Sequence, residues 1–343
     1  MSIIVALLIF GLLIFFHELG HFLLAKRGGI GVTSFSLGMG PAIFKKKIGE
    51  TEYALRILPF GGSCAMVGED TESDAENAFN KKGVWTRISV VAAGPVFNFI
   101  LAFVGAIIMV CCIGVDKPVI SEMIEGYPAY EAGVRAGDEI ISMNGRKIGV
   151  YRDVSMYIQL HQGEDVELVY ERDGERYETT IVPRMDEEGY YLMGITGGAY
   201  SKCTNPLEVI KYAGCEVGYW IHMVFDSLKL MVTGQVSRQD VGGPVRIVSM
   251  IGDTYEQSAA ISGFAVFINM LNMVIFLSAN LGVMNLLPFP ALDGGRTLLL
   301  LVEGIFRKKL PIEKEAAINM VGFVLLIGLM IIVMFQDVIK IIH

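Results

Sequence analysis

Four stretches of the chain are apolar for long enough to cross a lipid bilayer as helices. Residues 2–24 are apolar except for His17, Glu18 and His21, residues 88–113 carry no charge, residues 261–287 carry none but include Asn280 and Asn285, and residues 316–335 are again uncharged. A hydrocarbon core about 30 Å thick takes roughly 20 such residues in a helix, so each stretch predicts a span. The first is too long for a signal-peptide core and has no basic segment before it, so it reads as a retained helix. Lys26, Arg27, Lys45, Lys46, Lys47, Lys81, Lys82 and Arg87 lie between the first two spans, and Arg296, Arg307, Lys308, Lys309 and Lys314 between the last two. Basic residues near span ends mark the cytoplasmic side. The N-terminus, the long middle region and the C-terminus are then extracytoplasmic, in a multi-pass protein of the plasma membrane.

The middle region has another rhythm. Across residues 114–198 short apolar runs alternate with turns: Val166–Tyr170 and Tyr177–Val182 flank Arg172-Asp173-Gly174-Glu175, a tight hairpin signal. Residues 132–145 set two glycine-marked turns around an apolar strand. Residues 206–234 carry Glu208, Lys211, Glu216, Asp226 and Lys229 among apolar positions, too many charges for a span, and predict a surface-lying amphipathic helix. Two roles stand for it, touching the membrane or packing against the preceding domain.

Composition agrees. The 343 residues are 53% hydrophobic and 19% charged, with a mean hydropathy of +0.52, more apolar and less charged than soluble domains at roughly 45–50% and 25%. Disorder, coiled coil and collagen are excluded. The formal net charge is −8, yet residues 114–198 hold 8 Lys and Arg against 17 Asp and Glu, a net −9 that accounts for all of it. An acidic chain with pI near 5.3 is no partner for nucleic acid, whose binding rests on clustered cations. The five cysteines form neither a CxxC pair nor a regular framework.

Chemistry concentrates in the first span. His17-Glu18-Leu19-Gly20-His21 is an HExxH motif; in a helix, positions i and i+4 share a face, so both imidazoles reach one Zn²⁺ while the glutamate between them serves as base toward its water. Ionisable groups in a membrane helix cost about 2.5–3.5 kcal/mol each even on a lenient scale, and three within five positions call for a metal or a polar partner. A catalytic zinc keeps three protein ligands and an open position. Asp293, in Asn285-Leu286-Leu287-Pro288-Phe289-Pro290-Ala291-Leu292-Asp293-Gly294-Gly295-Arg296, is the candidate third: the prolines end the third helix and the glycines permit a tight turn beside the carboxylate. A helix cap is its alternative role.

HELGH in a first membrane helix, NxxPxPxLDGG after the third and a PDZ-like region between the second and third resemble the site-2 protease family of intramembrane zinc metalloproteases, most closely its bacterial RseP-type branch. Phe35-Ser36-Leu37-Gly38-Met39-Gly40-Pro41, residues 49–56 and Leu58-Pro59-Phe60-Gly61-Gly62 resemble the family's membrane-re-entrant β segment. Ala93-Gly94-Pro95-Val96-Phe97-Asn98-Phe99 and Gly243-Pro244-Val245 resemble two further motifs. The chain departs in having one PDZ-like domain where the best-known members have two, and in Ser63-Cys64-Ala65 after the double glycine.

The resemblance implies a polytopic α-helical membrane protein with four transmembrane helices, a membrane-re-entrant β segment and an inserted extracytoplasmic PDZ-like domain. The expected division is residues 1–25, the first helix with HExxH; 26–87, a cytoplasmic-side loop with the re-entrant segment; 88–113, the second helix; 114–198, the PDZ-like domain; 199–260, an amphipathic helical region; 261–288, the third helix; 289–315, the LDGG motif and a cytoplasmic loop; and 316–343, the fourth helix and tail. It further implies one zinc per chain on His17, His21 and Asp293, with Glu18 as catalytic base. Expected substrates are single-span membrane proteins such as anti-sigma factors, or remnant signal peptides, clipped first outside the membrane. The segment 32–66 is expected to offer a β edge to unwound substrate, its residues 51–57 alternating as a strand, and Tyr53 and Leu55 are the candidate contacts; an ordinary cytoplasmic hairpin is the alternative. Asn280 and Asn285 are candidate holders of substrate backbone or glue between helices. Asn98 is expected to pack or to order the site. Leu192, Gly194 and Ile195, in Tyr191-Leu192-Met193-Gly194-Ile195, are the candidate PDZ contacts for a peptide or C-terminus. A non-proteolytic scaffold with a peptide-binding PDZ domain is one competing class, a zinc transporter another. Intact Glu18 and Asp293 oppose the first, and convergence of the ionisable residues at one depth opposes the second.

Overall fold

The computed structural model describes residues 2–69, 71–234, 242–309 and 311–342. It divides into two compact units, Met1–Ala102 with Val236–His343, and Phe103–Gln235.

An apolar run broken only by His17, Glu18 and His21 carries helix α1 from Ser2 toward Arg27, with Lys26 and Arg27 in its last turn, where cations oppose the negative end of the helix dipole. Two long bent strands follow, β1 (Val32–Ile48) and β2 (Thr51–Met66), turning at Gly49 with φ +62°. Each pairs with the other twice. Ser34–Leu37 pair with Glu52–Leu55 on one side and with Gly62–Ala65 on the other, while Phe44–Ile48 return to pair with Thr51–Leu55. The ribbon is therefore four segments wide, in the order 42–48, 51–56, 32–37 and 62–66.

This narrows the expected edge within residues 32–66. Glu52–Leu55, with Tyr53 and Leu55, have a strand partner on both sides, so their amides and carbonyls serve the sheet. The Tyr53 ring packs against Phe22 and Phe35, with centroids 6.0 and 6.1 Å apart. Segment 62–66 has a single strand partner in this register.

After a 3₁₀ turn (Phe79–Lys81), α2 (Val84–Ile113) contains Pro95, which removes one helical hydrogen bond. The middle region runs through β3 (Val115–Asp116), β4 (Ile120–Met123), α3 (Pro128–Glu131), β5 (Glu139–Met143), β6 (Arg146–Lys147), α4 (Tyr151–Leu160), β7 (Val166–Arg172), β8 (Glu175–Ile181), β9 (Arg184–Met185), β10 (Tyr191–Leu192), β11 (Ile195–Gly197), β12 (Tyr200–Ser201) and α5 (Pro206–Val232). Its main sheet has the order β6-β5-β7-β8. Asp173 (φ +53°) and Gly174 (φ +81°) make the hairpin read from sequence; two positive φ values match the strand twist. Val166, Leu168 and Tyr170 alternate inward to meet Ile120, Ile140, Met143 and Met193 in the core.

Helix α5 belongs to the same unit as these strands. Asn205 caps it by accepting from Glu208 N at 2.9 Å, with Pro206 at the first turn. Arg152 bridges buried Asp116 (3.0 Å) and Glu216 of α5 (2.5 Å), and Arg146 reaches Asp226 at 2.5 Å. Lys117 bonds Glu208 and, with Thr204, holds that carboxyl down at about 2. Three of the polar positions that excluded a span, Glu208, Glu216 and Asp226, thus pair with cations of the preceding segments.

In the first unit, α6 (Pro244–Ala259), α7 (Gly263–Leu286), α8 (Asp293–Phe306) and α9 (Ile312–Ile342) complete the chain. Gly243 and Arg246 donate their backbone N–H groups to Asp337 of α9 at 3.1 and 3.2 Å, so a carboxylate from another helix caps α6. Ile251 of α6 packs with Ala6, Ile9 and Leu13 of α1, Leu101 of α2, and Val274 and Leu277 of α7. Helix α8 stands where a loop was expected, tied to α2 by the Arg87–Glu303 ion pair. Among the described residues four helices are long and apolar enough to cross a membrane: Ile3–Arg27, Val84–Ile113, Gly263–Leu286 and Glu313–Asp337.

Candidate metal centre

His17 and His21 lie one turn apart on α1. Asp293 reaches them from the first turn of α8, after a sharp connection from α7 through Pro288 and Pro290. Leu292, not Asp293, is the N-cap of α8, and no side chain caps there; the carboxylate is turned to the histidines instead. Asp293 Oδ2 stands 3.2 Å from His17 Nε2 and 3.4 Å from His21 Nε2, and the two Nε2 atoms are 3.3 Å apart. A tetrahedral zinc with bonds of about 2.0–2.1 Å separates its ligand atoms by roughly 3.3–3.4 Å. The three observed edges have that length.

The remaining ring nitrogens are engaged. His21 Nδ1 is 2.9 Å from the carbonyl oxygen of Val90; that oxygen only accepts, so the ring donates there and leaves the Nε2 lone pair for a metal. His17 Nδ1 is 3.1 Å from the amide of fully buried Asn98, whose backbone carbonyl accepts from Ser278 Oγ at 2.8 Å. The amide atom placed there is Nδ2, while the buried Oδ1 has no partner among the described residues; exchanging the two turns the oxygen to Nδ1, and His17 then takes the same tautomer.

Glycines make the room. A Cβ on Gly94 would stand 2.7 Å from Cε1 of both His17 and His21 and closer still to His21 Nε2, so the bare backbone of α2 cradles the imidazoles. A Cβ on Gly20 would lie 2.8 Å from the Ala93 carbonyl carbon, so this glycine lets α1 and α2 approach. A Cβ on Gly62 would lie 2.7 Å from Glu18 Cγ and 3.2 Å from its Oε1, which puts Glu18 against the single-partner segment of the ribbon. Gly294 and Gly295 admit the backbone of residues 286–290. The sequence signals for Gly94 and Gly62 were small residues inside motifs; their purpose needed the partner helix or strand.

Of the other candidates, Asn280 and Asn285 are half-buried on α7, and Asn285 Nδ2 donates to Leu281 O at 3.0 Å. Leu192 pairs with Arg184 and Ile195 with Met123. Gly194 has φ +83°, its carbonyl accepts from Ile124 N at 2.8 Å, and Tyr127 packs against it. Tyr151 Oη donates to the Ile195 carbonyl at 3.1 Å. These form a separate place in the second unit.

Gly94→Ala is expected to displace the imidazoles and to lower zinc affinity by at least the roughly 10–100-fold that lost outer support costs. Zinc bound per chain against a competing chelator measures it, and wild-type affinity would remove the cradle argument.

Two histidines a turn apart on a membrane-length helix, closed by a distant aspartate, define a metallopeptidase class of site. Residues 5–329 match the model of peptidase family M50, and the chain belongs to that family, the site-2 proteases, whose metal is zinc. It is similar to a protein from Clostridium acetobutylicum with a zinc-metalloprotease name, 41% identical over 98% of this chain and 97% of that one. It is also similar to the zinc metalloprotease RasP of Bacillus licheniformis (31% identical, 98% of each chain) and to the regulator of sigma-W protease RasP of Bacillus subtilis (29% identical, 98% of each).

Proposed function

We propose that this chain is an intramembrane zinc metalloendopeptidase that hydrolyses peptide bonds in transmembrane segments of single-span proteins, with His17, His21 and Asp293 holding one zinc and Glu18 as general base. The observation that carries this reading is the ligand triangle of 3.2–3.4 Å edges between α1, a helix of membrane-crossing length, and the start of α8. Bound there, zinc supplies a Lewis acid for the scissile carbonyl and acidifies water. Glu18 then takes the proton of the attacking water on its carboxylate and passes it to the leaving amine nitrogen.

A substrate helix hides its carbonyls in its own hydrogen bonds and must unwind. In lipid each freed backbone group costs several kcal/mol unless re-bonded. Segment 62–66 supports that exchange: it has one strand partner, and Gly62 brings it against Glu18. An extended substrate strand laid along it would meet the base directly. Asn280 and Asn285 hold substrate backbone on the α7 side, and Asn285 would first release Leu281.

Basic residues between the outer pairs of spans support a cytoplasmic-side active site and an extracytoplasmic middle region. That region acts as a PDZ-like module, with Leu192, Gly194 and Ile195 at its peptide edge, where an added strand displaces the Tyr151 hydroxyl from Ile195. Anti-sigma factors and remnant signal peptides, clipped first outside the membrane, are the substrate class.

The test is cleavage of a single-span substrate by the purified full chain, with products located by mass spectrometry. Cuts inside the apolar segment that stop with a zinc chelator and return with zinc are expected. Chelator-insensitive cleavage, or cuts confined to soluble flanks, would refute the assignment.

A further inference from the structure

The turn that carries Asp293 is strained, although within it Phe289 N–H donates to the Leu287 carbonyl at 2.7 Å and Leu292 N–H to the Phe289 carbonyl at 3.2 Å. Ala291 has φ +72°, a left-handed conformation that strains a non-glycine residue. Asp293 opens α8 without a side-chain cap. Yet its oxygen must sit within a few tenths of an ångström of a position set by two imidazoles on another helix. Further support comes from outside the turn.

Arg296 lies one helical turn beyond Asp293 on the same face of α8. Its Nη1 donates to Glu69 Oε1 at 2.5 Å, its Nη2 to the Glu69 backbone carbonyl at 3.1 Å, and its Nε to Glu315 Oε1 of α9 at 3.1 Å, while the guanidinium lies 5.1 Å from the Phe79 ring centroid. Glu69 Oε2 in turn accepts from Met66 N at 3.1 Å, so one side of the clamp is anchored to the end of β2. The three side chains are 16–21% exposed. Charge-assisted bonds from a planar fork fix direction as well as distance.

The other side is a face of α9. Glu315, Asn319 and Gly322 follow at i, i+4 and i+7, one stripe of a helix. Asn319 Oδ1 accepts from the strained Ala291 N at 3.3 Å. A Cβ on Gly322 would stand 2.5 Å from Pro290 Cβ, so α9 approaches the turn closely there. Pro290, Ala291 and Arg296 are therefore met in order by three residues of one helix face. The Arg87–Glu303 pair also holds α8, but ten residues from Asp293, about 15 Å along the axis.

We propose that Arg296 is a positioning residue for Asp293: clamped between Glu69 and Glu315, and aided by Asn319 and Gly322, it fixes the start of α8 so that the carboxylate meets both imidazoles. This rests on the metal reading above. The fourth span is then part of the metal centre's scaffold, though none of its residues touches the metal.

The experiment uses the purified full chain as wild type, Arg296→Met, Arg296→Lys, Glu315→Gln, Asn319→Ala and His17→Ala. Zinc affinity against a competing chelator, the visible spectrum after cobalt substitution, kcat and KM on a single-span substrate, and thermal unfolding are read for each. Arg296→Met is expected to lose roughly 10–100-fold in zinc affinity, the usual cost of removing an outer support, to change the cobalt spectrum, and to lower kcat with KM within about twofold, since uniform substrate binding is untouched. Arg296→Lys should recover only part, because one ammonium cannot repeat the fork. Glu315→Gln and Asn319→Ala should shift affinity the same way by less. Wild-type zinc affinity and cobalt spectrum in Arg296→Met overturn the proposal while His17→Ala still loses zinc. If His17→Ala keeps its zinc, the metal reading falls and this one with it. Should Arg296→Met not fold, unchanged affinity and spectrum in both Arg296→Lys and Glu315→Gln overturn the proposal.

Discussion

Glu18→Gln is expected to lose cleavage by about 10²–10⁴-fold in kcat, the range spanned by positioned general bases, while the chain keeps one zinc. Glutamine has the same length and shape, so it packs against Gly62 as Glu18 does, and it touches none of the three ligand atoms whose separations define the centre. It cannot accept a proton from water and deliver it to an amine. Substrate affinity should hold, because a general base acts in the transition state and not in uniform binding. The variant should accordingly retain substrate, and in its host it would trap the natural one. Two results would sink the assignment: turnover within tenfold of wild type, or loss of activity accompanied by loss of zinc, which would make Glu18 a ligand.

The candidate metal centre was legible because its chemistry is local. Two imidazoles for one ion must lie a turn apart, and ionisable residues in an apolar helix need a reason to be there. The hairpin at Asp173-Gly174 was equally plain, since its positive φ values demand those residue types. What stayed hidden depends on partners far along the chain. Alternation marks residues 51–57 as a strand, but their place between 32–37 and 42–48 is set by two long folded-back pairings, so which part of 32–66 keeps a single strand partner was not readable. Helix α8 opens with Asp-Gly-Gly and runs through four consecutive leucines, so turn chemistry at its start and a missing helical period afterwards disguised it as loop. Gly94 reads as a motif glycine until α1 is laid beside it. Arg296 counted only as a cytoplasmic charge, because its partners Glu69 and Glu315 lie far from it in sequence.

Asp293→Asn is expected to empty the centre of zinc, and to do so more completely than loss of its packing would explain. Zn²⁺ brings two positive charges into a site between apolar helices, and His17 and His21 as neutral ligands offset neither. Asp293 is the one anionic ligand and offsets half of that charge in direct contact. With asparagine the ion has no anionic ligand, a cost of about 2.5–3.5 kcal/mol even on the lenient membrane scale, which is roughly a 70- to 400-fold loss of affinity before the weaker amide ligand is counted. Asp293→Glu restores the charge but should not restore the site. The backbone before α8 is pressed against Gly294 and Gly295, so the helix start cannot retreat to accommodate a longer side chain. Charge and reach are therefore separable: Asp293→Asn should lose metal, whereas Asp293→Glu should hold some metal with altered cobalt spectrum and poor turnover. Zinc stoichiometry, chelator competition and cleavage rate on the same preparations measure the difference. An Asp293→Asn protein that binds one zinc tightly and cleaves its substrate would remove Asp293 from the ligand set.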